Sequence, residues 1–215
     1  MNRTIETLFS PALFPYLSGG VSGKQVVIID ILRATTTICV SLDNGCKQMV
    51  AVSATEDSIL FRERGYLLAG ERNGFKLEGF DFGNSPQEFT PERVGGASIV
   101  ITTTNGTQAL VMSNAADRIW VSSFYNLSAT VEAILEQGLP VVLFCAGWKN
   151  RFNLEDANHV QRFKSMHAES DLDVCLRTDV SNYAVKAEIR EFLLSDNKVY
   201  AGELVQYVPG SVNLQ

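Results

Sequence analysis

The sequence predicts an α/β protein, a layered α/β/α fold with a largely parallel or mixed sheet. Short β-branched or apolar runs alternate with helix-like segments from residue 26 to about residue 145, the pattern of strand–helix–strand units. The order of strand, polar turn, helix and strand begins at residue 25 and again at residue 97, which indicates an internal duplication. We therefore predict one domain over 1–215, with pseudo-repeats at about 26–95 and 98–156 and an atypical C-terminal region at 157–215.

The composition is that of a globular protein with an acidic balance. The chain has 215 residues, 46% hydrophobic and 20% charged, with a net charge of -6 and a pI near 5.0. Nucleic-acid-binding proteins usually carry a basic face, so we expect no nucleic-acid partner. A small anionic substrate is compatible with this charge, because a few arginines can oppose it locally.

The sequence has no features of a membrane or exported protein. We expect no membrane span, since no apolar run of about 18 residues occurs, and no signal peptide, since the first residues lack a continuous apolar core. The cysteines form no C-x-x-C pair and have no histidine at metal-site spacing, which predicts reduced thiols in a cytoplasmic protein and no zinc. They are Cys39, Cys46, Cys145 and Cys175.

The first half of the chain predicts three strands and two helices. Their ranges are 26–30 (strand), 34–45 (helix), 47–52 (strand), 53–65 (helix) and 66–71 (strand). Asn44-Gly45 is a typical helix stop. Ser53 and Glu56 have capping-box spacing, and Gly65 ends that helix. Residues 72–90 form an unusually long loop, and such loops are often functional.

The second half repeats this alternation. Thr90-Pro91 predicts the start of a short helix. Residues 97–124 then contain a strand, a polar turn, a helix and a second strand. A further helix ends at Gly138, and residues 141–147 form a buried strand.

Four predicted strands end in polar residues, and ligands of such sheets bind beyond the carboxyl ends of the strands. We therefore expect these four ends to converge on one crevice. They are Asp30 to Arg33, Glu71-Arg72, Thr102 to Thr107 and Cys145 to Gly147.

The segment TTTNGT, Thr102 to Thr107, lies between a strand and a helix. Backbone N–H groups and hydroxyls at a helix start can hold an oxyanion. The glycine and lysine pattern of a P-loop is absent, and a simple N-cap and turn is the alternative interpretation.

Asp30 is suited to bind Mg²⁺, because a carboxylate at a strand end is a hard oxygen donor. A salt bridge to Arg33 is the simpler alternative. The haloacid-dehalogenase-type D-x-D nucleophile is excluded, since Leu32 occupies the position of the second acid.

The loop after the third strand offers further metal and anion ligands, although Asn, Asp and Gly also dominate ordinary turns. These candidates are Glu71, Arg72, Asp81, Asn84 and Ser85. Cys145 is either a nucleophile or a packing residue. Neither His159 nor His167 lies near these motifs in the sequence, so a Ser-His or Cys-His arrangement has little support.

Six segments in the same order resemble the 2-phosphosulfolactate phosphatase (ComB-like) family, linked to coenzyme M biosynthesis. Together they cover about residues 8–156. They are VVIIDILRATTTI, LLAGERNG, GFDFGNSPQEFT, IVITTTNGTQAL, SSFYNLSA and LFCAGWKNRFNLED. After residue 156 the chain departs from the family pattern, apart from a D-x-x-x-C-L ending at 171–176, and it looks shortened.

The resemblance implies a Mg²⁺-dependent phosphatase that hydrolyses 2-phosphosulfolactate, or a related small phosphorylated sulfonate or hydroxy acid, to 3-sulfolactate and phosphate. The expected metal ligands are Asp30, Glu71, Asp81, Glu155 and Asp156. The expected catalytic residues are Asp30, Arg33, Glu71 and Cys145. The expected substrate-binding residues are Arg33, Thr35, Arg72, Asn84, Ser85, Thr104, Asn105, Gly106 and Thr107.

Two questions stay open at this stage. The sequence does not decide between direct attack by water and a covalent intermediate. The altered C-terminal region leaves a second reading, a non-catalytic binder of a phosphorylated or sulfonated metabolite, while a nucleotide-binding oxidoreductase lacks the G-x-G-x-x-G pattern. We expect a homodimer.

Overall fold

The computed structural model describes residues 4–147, 169–195 and 197–210. Its strands form one ten-stranded mixed sheet in the order β1-β8-β2-β7-β9-β10-β3-β6-β4-β5. They are β1 Ile5–Leu8, β2 Gln25–Ile29, β3 Gln48–Ala51, β4 Leu67–Arg72, β5 Phe75–Lys76, β6 Ser98–Thr102, β7 Arg118–Ser122, β8 Val141–Cys145, β9 Ala184–Leu194 and β10 Asn197–Tyr207. The predicted α/β class with a mixed, largely parallel sheet is confirmed.

The α-helices of the described residues are short and lie between these strands. They are α1 Ala34–Asp43, α2 Thr55–Leu60, α3 Pro91–Val94, α4 Gly106–Met112, α5 Leu127–Gln137 and α6 Glu169–Cys175. Short 3₁₀ segments occupy Pro11–Tyr16, Phe61–Arg64, Pro86–Glu88 and Phe124–Asn126. None of these helices is long and apolar enough to span a bilayer.

The sheet consists of two parallel groups joined by an antiparallel hairpin. Strands β1, β8, β2 and β7 are parallel to one another, and so are β3, β6 and β4. The hairpin β9–β10 lies between the groups and pairs antiparallel with β7 on one side and with β3 on the other. The two groups consequently run in opposite directions within the sheet.

Helices α1 and α4 each cross from one parallel group to the other. Helix α1 connects β2 to β3, and α4 connects β6 to β7. Residues 34–42 of α1 are all buried, which is expected of a helix enclosed on several sides. Side chains from both groups, Ile28 and Val121 on one side and Ala51 and Ile101 on the other, line one void together with residues of α1 and α4. Residues of both groups therefore meet α1 and α4 at this void.

Helix ends follow the sequence signals in part. Gly65 and Gly138 adopt the left-handed conformation predicted for helix ends, with φ of 78° and 67°. The capping box at Ser53 and Glu56 is wrong. The N-cap of α2 is Ala54 and no side chain caps it, because the extended backbone continues one residue further than the spacing suggested.

The sequence analysis did not predict the edge strand β1 or the hairpin β9–β10. The hairpin strands carry many charged residues, so the apolar signal is weak. Their alternation of buried and exposed positions becomes evident once their neighbours β7 and β3 are known. Both strands that lie between the two parallel groups, β9 and β10, belong to the C-terminal region.

Candidate active site

Asp30 lies directly after β2, where the first turn of α1 and the start of α4 meet. Its backbone N–H donates to the Thr35 hydroxyl at 3.2 Å, and its carbonyl accepts from the Thr35 N–H at 2.9 Å. The carboxylate accepts from the Ala34 N–H at 3.4 Å and from the backbone N–H of Gly106. Each of these donors begins a helix, so the carboxylate lies at two positive helix ends.

Asp30 nevertheless holds its proton more tightly than an ordinary aspartate. Burial raises the pKa of Asp30 to about 6, and the negative charge of Glu71 adds to this rise. The Ala34 and Gly106 N–H groups and the charge of Arg33 oppose the increase. Strongly shifted carboxyl groups are concentrated at functional sites, and this one lies on strand-end loops, where catalytic residues often occur.

Glu71, the fifth residue of β4, joins the loops that follow β4 and β6. Its side chain is buried, and its Oε1 accepts from the Thr104 N–H at 2.7 Å. Oε2 accepts from the Gly74 N–H at 2.5 Å. A carboxylate with two backbone donors is a strong charge-assisted acceptor, so Glu71 fixes both loops beside Asp30.

Arg33 forms a buried ion pair with an acid that the sequence analysis did not single out. Its Nη1 donates to Asp171 Oδ2 at 2.5 Å, and its Nη2 donates to the Gly74 carbonyl at 3.2 Å. Asp171 lies on α6, and its Oδ1 accepts from the Ser85 hydroxyl at 2.5 Å. The only sequence signal for Asp171 was the D-x-x-x-C-L pattern that it begins.

Thr36 and Thr107, one in each strand–helix turn, use their hydroxyls within the turns. Thr107 donates to the Thr103 carbonyl at 3.0 Å, and Thr36 donates to the Ile31 carbonyl at 2.9 Å. In the TTTNGT turn, the N–H groups of Thr104 and Gly106 point to Glu71 and Asp30 respectively. These two donors therefore hold the carboxylates of the site itself.

Arg72 and Asp81 lie at the margin of the cluster or away from it. Arg72 Nη2 donates to Thr102 Oγ1 at 3.0 Å, and its Nη1 donates to the Glu71 carbonyl at 2.7 Å. Asp81 Oδ2 accepts from the Leu68 N–H at 2.8 Å. Because Leu68 is near the start of β4 and Glu71 near its end, the structure does not bring Asp81 to the carboxylates.

The remaining sequence candidates lie at several different places. Asn84 is buried beside α1, where its backbone carbonyl accepts from the Thr37 hydroxyl at 2.9 Å. Asn105 is buried at the N-cap of α4.

Cys145 is paired in register with Ile29. It lies on the same sheet face as Leu143, which packs with the cluster around Trp120. Side chains alternate along a strand, so this face is opposite to that of Asp30. Glu155 and Asp156 lie outside the described residues.

The described residues hold no group of three or more His, Cys, Asp and Glu side chains arranged to bind a metal. They do hold two buried carboxylates, Asp30 and Glu71, whose charges repel each other. Mg²⁺ often binds through one or two carboxylates together with substrate phosphates and water. This pair fits such a site.

Gly106 permits the close approach of α4 to Asp30. A Cβ at Gly106 would lie 2.9 Å from Asp30 Oδ2 and 3.1 Å from the Ala34 Cβ. We expect Gly106→Ala to destabilise the fold by about 1–3 kcal/mol, as overpacking does, and to reduce turnover about tenfold because Asp30 is displaced. Thermal unfolding and initial rates measure both effects. Gln108→Ala, at an exposed position of the same helix, is the matched control, and equal behaviour of the two variants would contradict the expectation.

Comparison with known proteins identifies a family for this arrangement. A model of the 2-phosphosulpholactate phosphatase family matches residues 17–158. A protein of Thermotoga petrophila named a probable 2-phosphosulfolactate phosphatase is 45% identical over 136 residues, 63% of this chain and 59% of that protein. One of the same name from Caldicellulosiruptor saccharolyticus is 38% identical over 160 residues, 71% of this chain and 66% of that protein. The chain therefore spans about three fifths of the length of such relatives, and the resemblance carried by the six motifs is confirmed.

Proposed function

The chain belongs to the 2-phosphosulfolactate phosphatase family, and from that premise we propose that it hydrolyses a small phosphorylated sulfonate or hydroxy acid. The substrate that fits best is 2-phosphosulfolactate, which is the substrate in the names of the curated relatives. Water would replace the ester oxygen on phosphorus, and the products would be 3-sulfolactate and inorganic phosphate.

The observation that carries this proposal is the buried carboxylate of Asp30 with its pKa raised to about 6. A carboxylate that burial and a neighbouring negative charge destabilise would be stabilised by a bound divalent cation, which offsets both effects. The two helix starts around it also provide a fixed positive field beside the reacting group. Both direct attack by water and a covalent aspartyl intermediate would use this carboxylate.

Arg33 is the proposed binding group for the anionic parts of the substrate. Its guanidinium is planar and matches phosphate, sulfonate or carboxylate oxygens in a bidentate manner. Asn84 and Ser85 lie on a neighbouring segment. Asp171 connects this segment to Arg33, because it accepts from both the Ser85 hydroxyl and the Arg33 guanidinium. The arginine and this segment would form the anion-binding side of the crevice, opposite the acidic pair.

Asp30 and Glu71 are the proposed ligands of Mg²⁺. When bound, the ion would polarise the phosphoryl group and offset its negative charge. Asp30 would keep its position through Ala34 and Gly106, and Glu71 through Thr104 and Gly74. Such rigid support is what orients ligands in metal sites.

The direct test is release of phosphate from racemic 2-phosphosulfolactate by the purified chain. We expect release with Mg²⁺ and a decrease of at least about 100-fold with excess EDTA, since the metal supplies charge stabilisation in the transition state. Re-addition of Mg²⁺ should restore the rate. A folded protein that releases no phosphate, yet is stabilised against heat by the substrate, would instead be a non-catalytic binder.

A further inference from the structure

Asp171 has no assigned role, although within the described part of the chain it is an acid that directly contacts Arg33 of the proposed anion site. We propose that Asp171 on α6 is a positioning residue, which holds the Arg33 guanidinium and the Ser85 hydroxyl in place to bind the substrate anion. This inference rests on the proposed function only in assigning anion binding to Arg33. It adds a residue from the C-terminal region to the site.

The contacts of Asp171 use both of its carboxylate oxygens. Oδ2 accepts from Arg33 and Oδ1 accepts from Ser85, each at 2.5 Å. Arg33 follows β2 and Ser85 belongs to the loop after β5, so one side chain of α6 joins two separate loops. The second Arg33 contact, to the Gly74 carbonyl at 3.2 Å, adds the turn that Glu71 also holds. Asp171 thus attaches α6 to these loops of the site, in addition to the apolar packing of Leu172 and Cys175 against Ile31 and Leu32.

The contacts of Arg33 with Asp171 and Gly74 orient its guanidinium. The five N–H donors of a guanidinium lie in one rigid plane, so fixing one N–H on Nη1 and one on Nη2 fixes the direction that the whole plane faces. Pre-organised donors bind an anion without losing side-chain freedom at the time of binding. A carboxylate partner can therefore favour anion binding although it has the same sign of charge as the ligand.

The burial of the pair favours a positioning role over a stabilising one. The side chains of Arg33 and Asp171 are 8% and 3% exposed. A buried ion pair gains little net stability, because removing both charges from water costs about as much as their attraction returns. An apolar pair of similar size would serve packing equally well. A charged pair that also contacts Ser85 is better explained by orientation of a functional arginine.

The test measures the affinity of the full chain for inorganic phosphate and for 2-phosphosulfolactate by calorimetry. We expect Asp171→Asn to weaken the binding of both about 10- to 100-fold, as expected for loss of a charge-assisted contact, with a raised KM and a kcat within about threefold of wild type. Asp173→Asn, an exposed acid on the same helix, should bind as wild type does. Ser85→Ala should weaken binding less, because it leaves the Arg33 contact intact.

A second comparison separates action through Arg33 from a general structural effect. If Asp171 acts through Arg33, the double variant Arg33→Met/Asp171→Leu should bind phosphate as weakly as Arg33→Met alone, because coupled residues are not additive. The double variant carries no buried unpaired charge, so it should fold even if Asp171→Asn does not. A double variant that binds phosphate as tightly as wild type would overturn the proposal.

The remaining outcomes distinguish this inference from the phosphatase function. A wild-type protein that binds phosphate through Arg33 but hydrolyses nothing would contradict the function and leave the role of Asp171 standing. An active enzyme whose Asp171→Asn variant is only less heat-stable, with unchanged KM and phosphate affinity, would overturn the role of Asp171. A wild type that binds neither anion would also overturn it.

Discussion

Replacement of Asp30 by Asn should reduce phosphate release by at least about 10³-fold at pH 7.5. Asparagine has nearly the same shape, and its side-chain oxygen can still accept from the Ala34 N–H. It cannot take up a proton, act as a nucleophile or supply a negative charge to Mg²⁺. Loss of a group that acts only in the transition state lowers kcat and kcat/KM equally. Steady-state rates over a range of Mg²⁺ concentrations measure this effect.

The same substitution should stabilise the metal-free protein at neutral pH. The pKa of Asp30 is raised in the folded protein from 3.8 to about 6, so the folded state binds more protons than the unfolded state between these values. The free energy of unfolding therefore falls as pH rises from about 4 to about 6, and the penalty is complete above pH 6, on the order of 2–3 kcal/mol. In EDTA, Asp30→Asn should be the more stable protein at pH 7.5 and about equal to wild type at pH 4.

The pair of measurements also tests the metal assignment. Added Mg²⁺ should raise the unfolding temperature of the wild type, because a ligand that binds the folded state stabilises it. It should have little effect on Asp30→Asn. Asp173→Asn, with its exposed side chain, should behave as wild type in both experiments. Equal stabilisation of all three proteins by Mg²⁺ would exclude Asp30 as a ligand.

The rule that ligands bind beyond the carboxyl ends of strands predicted which residues lie close together. It did not predict how the fold brings them together. Asp30, Glu71 and Thr104 were expected together because each follows a strand, and their contacts do bring them together. However, β2 and β6 run in opposite directions within the sheet, so their ends do not share one edge of a single parallel sheet. They meet because α1 and α4 cross between the two parallel groups. The hairpin β9–β10 separates the two groups in the sheet, and its charged strands gave only a weak apolar signal.

The positions of Asp81 and Asp171 depend on long-range contacts, so the sequence could not place them. Asp81 follows Glu71 closely in the chain, which suggested a shared site. The loop instead turns back along β4, where Phe82 pairs with Ala69 and the Asp81 N–H donates to the Leu68 carbonyl. Asp171 is separated from Arg33 by 138 positions, and nothing local to either residue indicates the pairing.

The surroundings of Asp30 disfavour the charged form of its carboxyl group. Four loops are tied around it by charged contacts, through Glu71 to the turns at Thr104 and Gly74, and through Asp171 to Arg33 and Ser85. These contacts supply the rigidity needed to hold a carboxyl group where burial and a like charge raise its pKa. Such strain at functional sites is commonly offset by the surrounding structure.

Glu71→Gln should separate the effect of burial on the pKa of Asp30 from the effect of the Glu71 charge. We expect this variant to lower metal-dependent phosphate release about 100-fold or more. Glutamine keeps one acceptor oxygen, so only one of the Thr104 and Gly74 N–H groups retains a partner, and its amide N–H₂ faces the other donor. Loss of one charge-assisted contact should destabilise the fold by about 1.5–3 kcal/mol. One of the two loops, that of Thr104 or that of Gly74, would then no longer be fixed beside Asp30.

The variant should also change how stability depends on pH. The charge of Glu71 contributes to the raised pKa of Asp30, so its removal should lower the pKa of Asp30 toward the ordinary range. In EDTA, the decrease in the free energy of unfolding between pH 4 and 7 should then be smaller for Glu71→Gln than for wild type. Glu78→Gln, at an exposed position of the loop after β5, should keep the wild-type dependence. If Glu71→Gln also kept it, burial alone would determine the pKa of Asp30, and Glu71 would act only by holding the loops.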